Sequence, residues 1–82
     1  MYFVYIVQCA DETLYTGITT DIERRLDEHN HSIKGAKYTR TRRPVILVYK
    51  ETAKNRSDAS KREYVIKKMS REDKINLFFK FI

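Results

Sequence analysis

Residues 2–9, Tyr-Phe-Val-Tyr-Ile-Val-Gln-Cys, are β-branched or aromatic on both alternating faces, the pattern of an inner strand covered on two sides. Ala10, Asp11 and Glu12 supply a polar turn, and residues 14–19 form a second short strand, so the chain opens on an antiparallel hairpin whose register the sequence leaves open. Thr20-Asp21-Ile22-Glu23 matches a capping box with Thr20 as the cap and predicts a helix over residues 21–31. Residues 32–44 hold Gly35, alternating Thr and basic residues and a closing Pro44, and read as a surface connector. Residues 45–49, Val-Ile-Leu-Val-Tyr, give a third buried strand that pairs with the hairpin, with Pro44 at its first edge. Asn55 or Ser57 can cap a helix running to Met69, and Ser70 starts a final helix reaching Phe79. The order ββαβαα predicts an α+β fold, a small antiparallel sheet with helices packed on it.

At 82 residues the chain holds one compact domain, residues 1–82, so one site must do all of the chemistry. The 41% hydrophobic content, with two Gly and one Pro, is that of a folded chain. Cys9 has no second cysteine to bridge to and no zinc-like spacing around it, which points to a reducing, cytoplasmic setting. The apolar run at the N-terminus lacks a basic leader and is too short for a signal peptide or membrane span.

Charge is regional. Residues 1–33 carry two cations and six acids, a net −4. Residues 34–43 hold five cations and no acid, and residues 54–80 hold nine cations and four acids, so each of these stretches is +5. Such asymmetry suits a polyanion, since Lys and Arg that neutralise phosphates release counterions; the bland alternative is a solvated basic surface. The cations in question are Lys34, Lys37, Arg40, Arg42 and Arg43, then Arg56, Lys61, Arg62, Lys67 and Lys68.

Several residues look chemical. Arg25 and His29, four apart, project close together beside the Ile22 and Leu26 stripe; the ordinary alternative pairs Arg25 with Glu28 and leaves His29 as a packing residue. Glu63 shares the apolar side of its helix with Ala59, Ile66 and Met69, and a carboxylate there needs a partner, either a cation such as Arg25 or a metal ion. Tyr5 and Tyr15 lie on the two hairpin strands and share a face if paired residue numbers sum to an even value. As core residues, two tyrosines are ordinary.

Taken together these residues resemble the GIY-YIG nuclease family. Val4-Tyr5 resembles the end of its first triplet and Tyr15-Thr16-Gly17 its second, while Arg25 stands ten residues after Tyr15 and His29 and Glu63 follow in order. The runs Gly35-Ala36-Lys37-Tyr38-Thr39-Arg40 and Lys61-Arg62-Glu63 look like its small stand-alone bacterial, UPF0213-like branch. The departures are Phe3 for the first Gly, Thr16 in the middle of the second triplet, and Ile18 where repair nucleases of the family carry Lys.

The resemblance implies a three-stranded antiparallel sheet flanked by helices and metal-dependent phosphodiester hydrolysis on one concave face. In such a site Glu63 binds one Mg²⁺ or Mn²⁺. Arg25 holds the phosphate. Tyr5 takes a proton from the attacking water, His29 relays it and Tyr15 positions water or phosphate, with the base left open among these three. Gly17 and Asn76 are supporting residues. The basic stretches grip nucleic-acid backbone, DNA favoured over RNA, without reading bases. With no appended reading module, low sequence specificity or a protein partner is expected. A non-catalytic nucleic-acid-binding module in a repair or RNA-handling assembly is the alternative. The apolar run over residues 77–82 could join a dimer interface, but packing on the chain's own sheet, and so a monomer, is favoured.

Overall fold

The computed structural model describes residues 1–79, and residues 80–82 of the expected apolar C-terminal run lie outside the described residues. The elements are β1 (Tyr2–Gln8), β2 (Leu14–Thr19), α1 (Ile22–His31), α2 (Lys37–Arg40), β3 (Ile46–Ala53), α3 (Arg56–Lys68) and α4 (Arg71–Phe79). The strands form one antiparallel sheet in the order β2-β1-β3.

The two-faced pattern of β1 explains why it is central. Val4 and Ile6 point to one side, where they pack with Val48 and with Ala59 and Ile66 of α3. Tyr5 and Val7 point to the other, where Val45, Ile22 and Leu26 cover them. Val4, Ile6, Val7 and Ile66 are fully buried, each contributing about 1.5–3 kcal/mol by leaving water. Helices therefore lie on both faces of the sheet, with α1 over the tyrosine side and α3 on the reverse.

Three expectations need correction. The cap of α1 is Asp21, not Thr20: Asp21 has extended backbone and its Oδ1 accepts from the Arg24 amide at 3.1 Å. The connector is not wholly irregular, because Thr39 and Arg40 both donate their amides to the Ala36 carbonyl and close the short turn α2. The third strand runs past Tyr49 to Ala53. Tyr5 pairs with Lys50 and Phe3 with Thr52, so backbone pairing continues after the apolar pattern ends. The later caps are as expected, with Asn55 accepting from the Asp58 amide at 2.9 Å and Ser70 Oγ from the Asp73 amide at 3.1 Å. No helix among the described residues is long and apolar enough to cross a membrane.

Candidate active site

The β1–β2 register decides which side chains meet. Tyr5 pairs with Gly17 and Val7 with Tyr15, so paired numbers sum to an even value and both tyrosines project from one face. Helix α1 crosses that face on Ile22 and Leu26, which brings Arg25 and His29 over the strands. His29 is fully buried, and its Nε2 lies 2.6 Å from the Tyr5 hydroxyl. The Tyr15 ring stands edge-on to the imidazole, with centroids 5.4 Å apart.

Gly17 makes this approach possible. A Cβ at that position would stand 2.5 Å from the Tyr5 hydroxyl oxygen and 2.7 Å from Cζ. The ring is only 3% exposed and tied to His29, so it cannot tilt away without breaking that contact. Gly17→Ala is expected to cost about 1–3 kcal/mol, the usual range for overpacking, in a denaturant titration. A loss below about 0.5 kcal/mol would show that the ring moves freely and that its position is not set by this glycine.

Arg25 is held rather than free. It donates to Glu28 Oε1 at 3.0 Å and to the Lys34 carbonyl at 2.8 Å, and its charge acts on the Tyr5 hydroxyl. Burial disfavours its charge, but Glu28 and Tyr5 outweigh that and keep its pKa above the usual arginine value. The guanidinium is thus a partner of Glu28, as the ordinary alternative has it, and its charge also acts on Tyr5.

Glu63 lies on α3, on the side of Ala59 and Ile66, but its carboxylate is part exposed rather than buried. The cation it meets is Lys67, at 3.4 Å on the next turn, not Arg25. Lys67 Nζ also sits 5.9 Å from the centre of the Tyr15 ring, which places Glu63 beside the tyrosine face. Its charge reaches Tyr5 as well. Among the described residues no group of three or more His, Cys, Asp or Glu side chains is placed to hold a metal, so a divalent ion beside Glu63 would have few protein ligands and would keep most of its water.

Electrostatics set the resting protonation. Burial pushes the Tyr5 hydroxyl up to about 12, Arg25 pulls against it, and Tyr15 and Glu63 push the same way as burial. Burial, then the charge of Arg25, lowers His29 from 6.5 to about 4, with Arg43 adding to the effect and Glu28 opposing it. Both groups are neutral at pH 7. Because the unfolded chain takes up a proton at His29 more readily than the folded one, this histidine adds stability above about pH 6.5. That contribution is lost as the pH falls toward 4, by roughly 3 kcal/mol in all. The thermal midpoint is expected to fall between pH 7 and pH 4.5, and less steeply in His29→Gln; equal slopes in the two proteins would contradict the burial of a neutral imidazole.

Beside Arg25 opens a cleft of about 350 Å³, lined by Arg24, Arg25, Glu28 and Arg56 together with Tyr2, Ile18 and Thr20. Ile18, which stands where repair nucleases of the resembled family carry Lys, is therefore in the wall of a cleft that has arginines from α1 and α3. Arg24 was missed in the sequence because one exposed Arg on a polar helix face has no distinguishing pattern.

The basic residues divide in two. Lys34, Lys37, Arg40, Arg56, Lys61, Lys67 and Lys68 are exposed, with Lys68 lying over the Tyr64 ring at 4.5 Å. Arg42, Arg43 and Arg62 carry internal work. Arg42 pairs with Asp11 at 2.9 Å and lies over the Tyr38 ring. Arg43 donates to the carbonyls of His29, Glu28 and Ser32 and so closes the C-terminal end of α1. Arg62 bridges to Glu51 at 3.0 Å. Asn76 is exposed on α4, a helix that packs on β3 at the far side of the sheet from β2, so the fold does not bring it to the tyrosine face.

Residues 1–76 match the model of the GIY-YIG catalytic domain. The chain belongs to the GIY-YIG family. Among its relatives is a UPF0213 protein of Desulfotalea psychrophila, 72% identical over 84% of this chain and 63% of the relative. A UPF0213 protein of Staphylococcus haemolyticus is 54% identical over 93% of this chain and 92% of the relative. The chain thus spans less than two thirds of the first of these and nearly all of the second. The solution structure of a UPF0213 protein from Bacillus halodurans superposes with a TM-score of 0.58 at 45% identity, covering 94% of this chain and 82% of that one. An E. faecalis protein superposes at 0.65 with 44% identity, covering 98% and 84%. The α+β fold, the three-stranded antiparallel sheet and the GIY-YIG resemblance all hold.

Proposed function

We propose that this GIY-YIG domain is a metal-dependent endonuclease that hydrolyses nucleic-acid phosphodiester bonds with low sequence specificity, DNA favoured over RNA. The observation that supports this most is the buried Tyr5–His29 hydrogen bond, with the charge of the part-exposed Arg25 and of Glu63 acting on the same phenol. A buried histidine joined to a buried phenol is a costly way to fill a core, and a fixed guanidinium against the same phenol gives the group a use.

Arg25 takes one non-bridging oxygen of the scissile phosphate and stabilises the charge that grows in the transition state. Tyr5, with a hydroxyl held to about 12, is no free base at neutral pH; it takes a proton from the attacking water as it gives its own to His29 Nε2. Phosphate on Arg25 screens the charge that helps keep His29 near 4, which raises the proton affinity of the imidazole when substrate is present. Tyr15 limits the pocket and orients water or phosphate. Glu63 would hold the Mg²⁺ or Mn²⁺, which when bound supplies charge neutralisation at the scissile phosphate and its leaving oxygen. To do so Glu63 must release Lys67, which then faces the substrate backbone.

In the Arg24–Arg25–Arg56 cleft we place the phosphate next along the strand, with Arg24 and Arg56 supplying the cations that Ile18 does not. Lys34, Lys37, Arg40, Lys61 and Lys68 extend the track. The domain acts as a cytoplasmic monomer, and a protein partner supplies what specificity it has.

One observation favours the second reading, a non-catalytic nucleic-acid-binding module: Glu63 already has a cation on it. Tyr5→Phe separates the two. The ring stays over Gly17 and only the hydroxyl is lost, so oligonucleotide affinity is expected to be unchanged while cleavage drops about 10²-fold. Affinity in both proteins should fall by of order 10³-fold between about 50 and 200 mM salt. A wild-type protein whose binding ignores salt would sink both readings.

A further inference from the structure

Thr39 is buried with no exposed surface, lies on α2 in the basic connector, and has a polar side chain in direct contact with the relay. Its Oγ1 is 3.0 Å from His29 Nδ1 and 2.9 Å from the Ala36 carbonyl oxygen. Nothing in the roles given so far uses it.

The proton positions follow from counting donors. Thr39 Oγ1 gives its single hydrogen to the Ala36 carbonyl at 2.9 Å, so toward His29 Nδ1, at 3.0 Å, the oxygen is an acceptor. Nδ1 then carries the hydrogen of the neutral imidazole, and Nε2 is bare. Nε2 accepts from its one near partner, the Tyr5 hydroxyl, at 2.6 Å. The Ala36 amide also points at Nδ1, at 3.4 Å, and would favour the opposite tautomer. That contact is the longest of the set, and the three shorter ones form one consistent chain.

We infer that Thr39 is a positioning residue of the relay: by accepting the Nδ1 hydrogen of His29 it keeps Nε2 free to take the proton of Tyr5. The role rests on the nuclease reading for its use in catalysis, but the tautomer itself does not. The third group that orients a base is usually a carboxylate or a carbonyl. A neutral hydroxyl does the same job here without placing a negative charge beside a phosphate site. The placement has a second consequence. Thr39 sits between Lys37 and Arg40 on one short turn, so the segment that would grip the backbone also sets the imidazole.

Nitrogen-15 NMR of the His29 side chain at pH 7 tests this, in wild type, Thr39→Ser and Thr39→Val. Wild type and Thr39→Ser are expected to show the tautomer with hydrogen on Nδ1. Thr39→Val, which keeps the shape but leaves Nδ1 facing a methyl group, is expected to shift toward hydrogen on Nε2. In single-turnover cleavage Thr39→Val should lose about 10²-fold with affinity for a labelled oligonucleotide unchanged, and Thr39→Ser should stay within about threefold of wild type. Hydrogen on Nε2 in the wild-type spectrum overturns the inference even if no variant can be purified. A Thr39→Val protein that keeps hydrogen on Nδ1 overturns it too. If the tautomers behave as expected and wild type cuts nothing, Thr39's hold on the imidazole stands and the nuclease reading is what fails.

Discussion

Arg25→Ala is expected to slow cleavage by about 10³-fold while oligonucleotide affinity changes by less than about tenfold, and Arg25→Lys should recover little of the loss. The size follows from where the guanidinium is held. Glu28 and the Lys34 carbonyl fix it before substrate arrives, so little ordering is needed when charge develops on the phosphate. A lysine ammonium reaches one of these acceptors at a time and cannot keep the planar geometry. Single-turnover rates at saturating protein separate the chemical step from binding. An Arg25→Ala rate within about tenfold of wild type would mean that the phosphate is held elsewhere, with Arg24 and Arg56 the first residues to examine.

Glu63→Gln is expected to have a similar effect by a different route, a loss of about 10²- to 10³-fold in rate, with binding equal to or tighter than wild type because a negative charge leaves the substrate face. The amide keeps the shape and can still meet neighbouring groups, but it is a poor ligand for Mg²⁺. It also frees Lys67 from its ion pair. Rates measured across a Mg²⁺ series give a clear readout, since the variant should need far more metal to reach any given rate. A variant that follows the wild-type metal curve would remove Glu63 from the metal site and leave its pairing with Lys67 as its only role.

The hairpin, the central strand and the helices were legible because each has a local cause. The two-sided apolar pattern of β1 is what a strand between two helical layers requires, and Asn55 and Ser70 mark helix starts by side-chain chemistry alone. The tail of β3 was not legible, because Lys50 and Thr52 owe their strand to pairing with Tyr5 and Phe3 and not to burial. Thr20 and Asp21 are both good caps side by side, and local pattern could not choose between them.

For the site, the resemblance to the family pointed to Tyr5, Tyr15, Arg25, His29 and Glu63, and the fold sets Arg25 and His29 over the two tyrosines, with Glu63 near the Tyr15 edge through Lys67. What the resemblance could not give was the state of each group. The pairing of Glu63 with Lys67, one turn on in the same helix, follows from i, i+4 spacing and could have been read from the sequence, whereas that Tyr15 shares a face with Tyr5 depends on an even register. Thr39 was invisible for a similar reason: a threonine amid basic residues looks like connector until the turn α2 folds it against α1. Arg42 and Arg43 looked equally fit for phosphate, but one is held by Asp11 and the other by the end of α1.

Cleavage of a panel of single-stranded, duplex, branched and RNA oligonucleotides by the wild-type protein, with Mg²⁺ or Mn²⁺ and again after chelation, tests the proposed activity most directly. The expected result is cutting of at least one DNA substrate with metal, none without it, and cutting slowed by about 10²- to 10³-fold in Glu63→Gln although that variant still binds. Salt-sensitive binding with no cutting of any substrate, under either metal, would contradict metal-dependent hydrolysis and leave a nucleic-acid-binding module in its place.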